Sequence, residues 1–248
     1  MRLKDKSAVV YGAAGSMGGA VARAFARQGA HVYLAGRTQS TLDTVAAEIT
    51  DSGGRATVAR LDVFDRSAVE ANADRIVEQT GSLDISFNAI GMQALQDVPL
   101  VDMELEDFMA PIVDAARSHF ITTTAAARRM TSQGSGVIVL LSSSAAGESR
   151  HRMGGFNIAC AGIEALNRSL AGELGRDGVR VVCICPVFTP ETVPGLSEED
   201  LGPLVRDTLS GRLPRLAEVA EAAVFAASDG AGAMTGAVLN LTCGALVD

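Results

Sequence analysis

Seven short apolar runs alternate with longer segments of helical period along the 248 residues, and this restricts the possible folds more than any other feature. The runs are 8–11, 31–35, 56–61, 83–87, 137–141, 180–185 and 237–241. Such runs read as strands buried on both faces. Strands separated by helices are expected to be parallel, because a helical crossover returns the chain to the same end of the sheet. The pattern predicts an α/β fold with a doubly wound parallel sheet of about seven strands, helices on both faces and three layers in all. After the first run, Met17, Ala20, Val21, Ala24 and Phe25 recur at helical spacing and form one apolar stripe toward the sheet; Gly29 stops that helix.

Nothing divides the chain. No linker, compositional break or solenoid-period repeat interrupts it, so residues 1–248 read as one domain. At 48% hydrophobic and 20% charged it can bury a large core, which excludes disorder as the main state. The net charge of -8 argues against a nucleic-acid backbone or an anionic membrane as partner, because both attract excess Lys and Arg. A small molecule is expected instead. Residues 1–6 are charged and 8–11 too short for a signal peptide, and no apolar run approaches the roughly 20 residues of a membrane span. The expected location is cytoplasmic.

Cys160, Cys183, Cys185 and Cys243 form no C-x-x-C pair and His31, His119 and His151 are scattered, so no metal site is expected. Cys183 and Cys185 lie in an apolar run and read as small core residues of a protein in a reducing compartment. Segment 190–214 is the least regular, rich in Pro, Gly and acids, and follows the sixth strand at the edge where open α/β sheets bind ligands. It reads as a substrate lid or a plain surface loop.

Between the first strand and the first helix stands Tyr11-Gly12-Ala13-Ala14-Gly15-Ser16-Met17-Gly18. Glycines let a backbone approach a pyrophosphate, and a helix N-terminus offers unpaired N–H groups and about half a positive charge. This turn resembles the Thr-Gly-x-x-x-Gly-x-Gly signature of the short-chain dehydrogenase/reductase family, with Tyr11 for Thr and Ser16 for the middle Gly. The resemblance runs through the whole chain. Asp62-Val63 is similar to the adenine contact and Asn88-Ala89-Ile90-Gly91 to the family's Asn-Ala-Gly turn. Segment 136–144 resembles the strand that carries the catalytic Ser. Pro186-Val187 stands where Pro-Gly is usual, with Thr189 just beyond, and Thr235-Gly236 precedes the last strand.

The resemblance implies a Rossmann-type dinucleotide site built from Gly12, Ser16, Met17, Gly18, Arg37, Asp62, Val63, Asn88, Ala89, Ile90, Pro186 and Thr189. Where NAD-preferring relatives carry an acid that holds the ribose 2′-hydroxyl, this chain has Gly36-Arg37. A carboxylate repels a 2′-phosphate, whereas an arginine pairs with it, so NADP(H) is favoured over NAD(H). The resemblance also implies a homodimer or homotetramer assembled through helices at about 105–130 and 156–174.

The family's Tyr-x-x-x-Lys pair is missing. Phe156 stands at the Tyr position and Cys160 at the Lys position; Ser143 aligns best with the catalytic Ser, with Ser142 and Ser144 as alternative registers. Ala115 takes the place of the family's Asn. Reduction of a carbonyl needs a proton for the developing alkoxide, and Phe156 has none to give. The only lysines, Lys4 and Lys6, and the only tyrosines, Tyr11 and Tyr33, all lie near the first two strands. His151 and His119 are the remaining proton sources. Three readings stay open: an NADP(H)-dependent oxidoreductase that uses a substitute acid or reduces an activated C=C bond, a non-redox isomerase, dehydratase or cyclase reusing the pocket, and a cofactor-binding sensor or partner subunit.

Overall fold

The computed structural model describes residues 1–247. Its strands are β1 (Ser7–Tyr11), β2 (His31–Gly36), β3 (Arg55–Arg60), β4 (Ile85–Asn88), β5 (Gly136–Leu141), β6 (Val179–Pro186) and β7 (Val238–Leu241). They form one sheet in the order β3-β2-β1-β4-β5-β6-β7, with every neighbouring pair parallel. One face packs against α1 (Ser16–Arg27), α2 (Gln39–Asp51) and α7 (Leu216–Ala227). The other packs against α3 (Arg66–Thr80), α4 (Leu105–Gln133) and α5 (Gly155–Leu174). This is the three-layer α/β architecture that the alternation of runs requires.

Side chains obey the two-residue period of a strand. Val10, Leu34, Phe87, Val139 and Val182 face the α1 layer, and Val9, Tyr33, Ile138, Leu140 and Val181 face the α4 layer. Full burial of each large aliphatic or aromatic side chain contributes about 1.5–3 kcal/mol, which is why both faces are apolar throughout. Helix α1 ends where Gly29 takes φ +95° and its N–H reaches Ala26 O at 2.9 Å.

Two elements depart from the sequence reading. Strand β4 begins at Ile85 rather than at residue 83, because the Gln133 side chain takes over both Leu83 backbone groups: Leu83 N–H donates to Oε1 at 2.8 Å and Nε2 donates to Leu83 O at 3.0 Å. Segment 190–214 is not irregular throughout. It contains α6 (Glu198–Arg206), opened by a capping box in which Ser197 and Asp200 each bond the other's backbone N–H.

Chain order reverses at the β1–β4 boundary, where connections leave toward opposite sides of the sheet. The crevice that opens there, at the carboxyl ends of the strands, is the natural ligand site of such a sheet.

Candidate active site

The β1–α1 turn lies directly at this crevice. Gly12 adopts φ +76°, and a Cβ there would stand 2.5 Å from Ala89 O at the end of β4. A Cβ on Gly18 would stand 2.2 Å from Gly12 O. Both positions therefore require glycine for close backbone approach. Gly15 caps α1 without a side chain, and the first helical backbone bond runs from Gly19 N–H to Gly15 O at 2.8 Å. The N–H groups of Ser16, Met17 and Gly18 are left free at the positive end of the helix dipole. A shallow cradle of free amides that a Cβ would fill fits a dinucleotide pyrophosphate, and the exposed Ser16 at its lip adds a hydroxyl donor.

The other predicted cofactor residues surround the same crevice. Asn88 is buried, donating to Thr122 Oγ1 at 2.9 Å and accepting from Ile90 N–H at 2.9 Å, which fixes the turn through Ala89 and Ile90. Asp62 is exposed and its Oδ1 accepts from Phe64 N–H at 3.0 Å, beside buried Val63. Arg37 is exposed at the end of β2, and Arg60 Nε donates to its carbonyl at 3.3 Å. Two guanidinium groups thus flank the end of β2. Pro186 ends β6, and Thr189 is buried with its hydroxyl donating to Val187 O at 3.2 Å.

Strand β5 delivers the serine run to the crevice. Ser142 Oγ donates to Glu164 Oε1 on α5 at 2.9 Å, Ser143 Oγ accepts from Ala145 N–H at 3.4 Å, and Ser144 is buried at the start of a short 3-10 turn. Phe156 and Cys160 lie one turn apart on α5, Phe156 half-buried and Cys160 fully buried. Burial pushes the Cys160 thiol up to about 12, reinforced by Cys185 and Glu164, so it keeps its proton. The same cause raises Cys183 and Cys185 to about 12, in keeping with their reading as core residues.

The proton sources sort clearly. Tyr11 OH is buried without a partner and its pKa is raised by burial, and Tyr33 OH donates to Gln79 at 3.0 Å. Lys6 pairs with Asp84 at 3.6 Å, at the opposite end of the sheet. His119 must be removed from the candidates: it is buried, burial pushes it down to about 4, and its Nδ1–H donates to Ala115 O at 3.0 Å. A neutral imidazole sealed in this way has no proton to supply near neutral pH. His151 sits on the loop between β5 and α5 with Nε2 3.1 Å from Asp207 Oδ2 and 3.7 Å from Glu148 Oε2.

That loop carries groups the sequence reading did not single out. Arg150 donates to Ala245 O at 2.9 Å and to Asp207 O at 3.4 Å, and faces Asp207 Oδ1 at 3.5 Å. The segment bearing α6 is thereby tied over the β5–α5 loop. From the other side Asp97 N–H reaches Arg152 O at 2.8 Å. No motif announces Glu148, Asn157 or Asp207; only the fold brings them together.

Comparison with known proteins finds relatives along nearly the whole chain. A family model described as enoyl-(acyl carrier protein) reductase matches residues 12–245. An uncharacterized oxidoreductase of Bacillus subtilis (strain 168) is 32% identical over 95% of this chain and 89% of its own length. The cis-4-hydroxycyclohexanecarboxylate dehydrogenase of Sinomonas cyclohexanicum is 34% identical over 97% of this chain and 96% of its own. The crystal structure of a gluconate 5-dehydrogenase from Burkholderia cenocepacia J2315, in complex with NADP and tartrate, has a TM-score of 0.89 and 25% identity, covering 98% of this chain and 95% of that one.

Proposed function

The chain belongs to the short-chain dehydrogenase/reductase family of oxidoreductases, and from that premise we propose that it binds NADP(H) and oxidises or reduces a small molecule with a proton donor other than a tyrosine. The observation that carries this reading is the end of β2, where Gly36 and Arg37 stand in place of an acid and Arg60 Nε meets Arg37 O at 3.3 Å. A 2′-phosphate placed there gains two guanidinium neighbours and meets no carboxylate on that turn.

In this reading the amides of Ser16, Met17 and Gly18 hold the pyrophosphate, Asp62 and Val63 receive the adenine, and Asn88 to Ile90 with Pro186 and Thr189 line the nicotinamide side. The bound cofactor supplies or accepts the hydride. The protein's part is to orient a substrate oxygen with the hydroxyls of the serine run, to exclude water with Phe156, and to furnish one proton. Cys160 holds its own too tightly, and His119 is neutral. His151, on the loop between β5 and α5, is the donor that remains. A positioned general acid contributes about 10² to 10⁴ in rate, so its loss slows hydride chemistry without forbidding it.

A second reading has one observation in its favour: at the positions of the lost pair, one side chain has no ionisable group and the other is fully buried. On that reading the chain binds cofactor without turnover, as a sensor or partner subunit. In either case self-association through α4 and α5 is part of the proposal, as a homodimer or homotetramer.

Titration of reduced cofactors, read by their fluorescence in a protein with no Trp, tests the cofactor assignment. NADPH is expected to bind more tightly than NADH. Arg37→Ala is expected to weaken NADPH by about 1.5–3 kcal/mol, the worth of a charge-assisted hydrogen bond, and to leave NADH unchanged. Equal affinity for both cofactors, or tighter NADH, overturns the reading.

A further inference from the structure

A carboxylate withdrawn from water normally accepts several hydrogen bonds, because few groups are more costly to leave bare. Glu148 accepts none. Its side chain is 6% exposed and Oε1 is buried without a partner. Oε2 lies 3.7 Å from His151 Nε2 and 4.0 Å from Arg150 Nε, beyond hydrogen-bond range. Both neighbours are engaged elsewhere, His151 with Asp207 at 3.1 Å and Arg150 with Ala245 O at 2.9 Å.

A second orphan acceptor accompanies it. Asn157 Oδ1 is also buried without a partner, while Asn157 Nδ2 donates to the Glu148 carbonyl at 3.3 Å. The two residues are therefore adjacent, and both surplus groups accept. Their place is specific: Glu148 N–H donates to Ser144 O at 3.0 Å, Asn157 follows Phe156, and Asp207 of the segment bearing α6 closes over the loop through His151. Along the chain Glu148 lies between the serine run and Phe156, and Asn157 comes directly after Phe156.

We infer that Glu148 and Asn157 recognise the substrate through its hydrogen-bond donors, selecting an alcohol, or the matching carbonyl compound, that carries a second O–H or N–H group and no negative charge. The inference rests on the proposed oxidoreductase reading and names its substrate class. A buried acceptor without a partner rewards a donor strongly, since a ligand lacking one leaves it unpaired. A carboxylate brought beside Glu148 adds a like charge where little water screens it.

Three three-carbon probes that differ only at one end test this: propane-1,2-diol, 1-amino-2-propanol and lactate. Binding to the NADP⁺-loaded protein is followed by calorimetry and thermal shift. The diol, the amino alcohol or both are expected to bind saturably, with lactate at least about tenfold weaker. Binding of the diol alone points to a neutral polyol, and of the amino alcohol alone to a cationic substrate. Glu148→Gln is expected to weaken the amino alcohol about tenfold or more and the diol less, because the amide keeps an acceptor but loses the charge. Its melting temperature without ligand is expected to stay close to the parent's, since the carboxylate accepts no hydrogen bond and its ion pairs with His151 and Arg150 are long, at 3.7 and 4.0 Å.

Lactate binding as tightly as the others, affinities unchanged in Glu148→Gln, or no saturable binding of diol or amino alcohol up to about 0.1 M overturns the inference. So does a clear loss of stability in the unliganded variant, which would make the carboxylate a structural anchor. NADPH titration on the same samples separates the two claims. Selective probe binding without cofactor binding sinks the oxidoreductase reading alone, and cofactor binding with unselective probes sinks the recognition site alone.

Discussion

Cys160 occupies its position as a core residue rather than as a disarmed catalyst. It is fully buried, Glu164 one turn further along α5 is bonded by Ser142, and burial holds its thiol protonated. Phe156 beside it presents a ring with no titratable group. Restoring the family's pair therefore means placing a phenol and an ammonium where this chain has built apolar packing. Phe156→Tyr with Cys160→Lys is expected to gain no ketone reductase activity with NADPH and to lose several kcal/mol of stability in urea unfolding, roughly the cost of an imperfectly paired buried charge. A gain approaching the ~10² to 10⁴ of a general acid, at native stability, would show that the pocket kept its reductase shape. At this scale the sequence was legible where a motif fixes both residue and spacing. The glycine turn between β1 and α1 could be read directly. Glu148, Asn157 and Asp207 could not, because each has an ordinary surface neighbourhood in sequence and acquires meaning only from partners up to fifty-seven positions away, the separation of Arg150 and Asp207.

Among the elements, α6 and the β5–α5 loop depend on each other. Helix α6 has nine residues, no buried side chain and Pro203 inside it, so little local energy holds it in place. What secures it is its cap at Ser197, the Arg150 clamp on Asp207 and Ala245 O, and the contact of His151 with the Asp207 carboxylate at 3.1 Å. The Ser197-Glu198-Glu199-Asp200 signature was present in the sequence, but Gly202 and Pro203 hid the helix that follows. Strand β4 shows the converse: Leu83 belongs to the apolar run, yet a side chain from the distant end of α4 claims its backbone. Arg150 is 42% exposed, so its clamp on Asp207 contributes about 1 kcal/mol. Arg150→Met is thus expected to speed hydrogen exchange across α6 about fivefold while β5 and β6 keep their protection. Unchanged exchange in α6 would show that the clamp does not hold the segment down.

At the scale of the whole molecule, the parallel sheet directs chemistry to one edge: the glycine cradle, Asn88, the serine run and Pro186 all follow carboxyl ends of strands, while the Lys6–Asp84 pair lies at the other end. Among the described residues no helix is long and apolar enough to cross a membrane. Large apolar side chains are exposed in a stripe on α4 and α5. Met109, Val113 and Phe120 recur four and seven residues apart and so share one face of α4, and Phe120 is 53% exposed; Ile158 on α5 is 51% exposed. The monomer fold leaves these side chains about 39–53% exposed, and exposed apolar patches of this kind mark association surfaces. A two-fold contact would bury such a stripe against its own copy, because an isologous interface pairs each patch with itself. Light scattering at about 10 μM is expected to give a dimer or tetramer, an interface of ~1,600 Å² being enough for stable association. Phe120→Glu with Ile158→Glu is expected to release monomers with unfolding stability nearly unchanged, since both positions are solvent-facing in the single chain and such substitutions stay within about 0.5 kcal/mol. A parent protein that is already monomeric, or a double variant that keeps its assembly, would place the contact elsewhere or remove it.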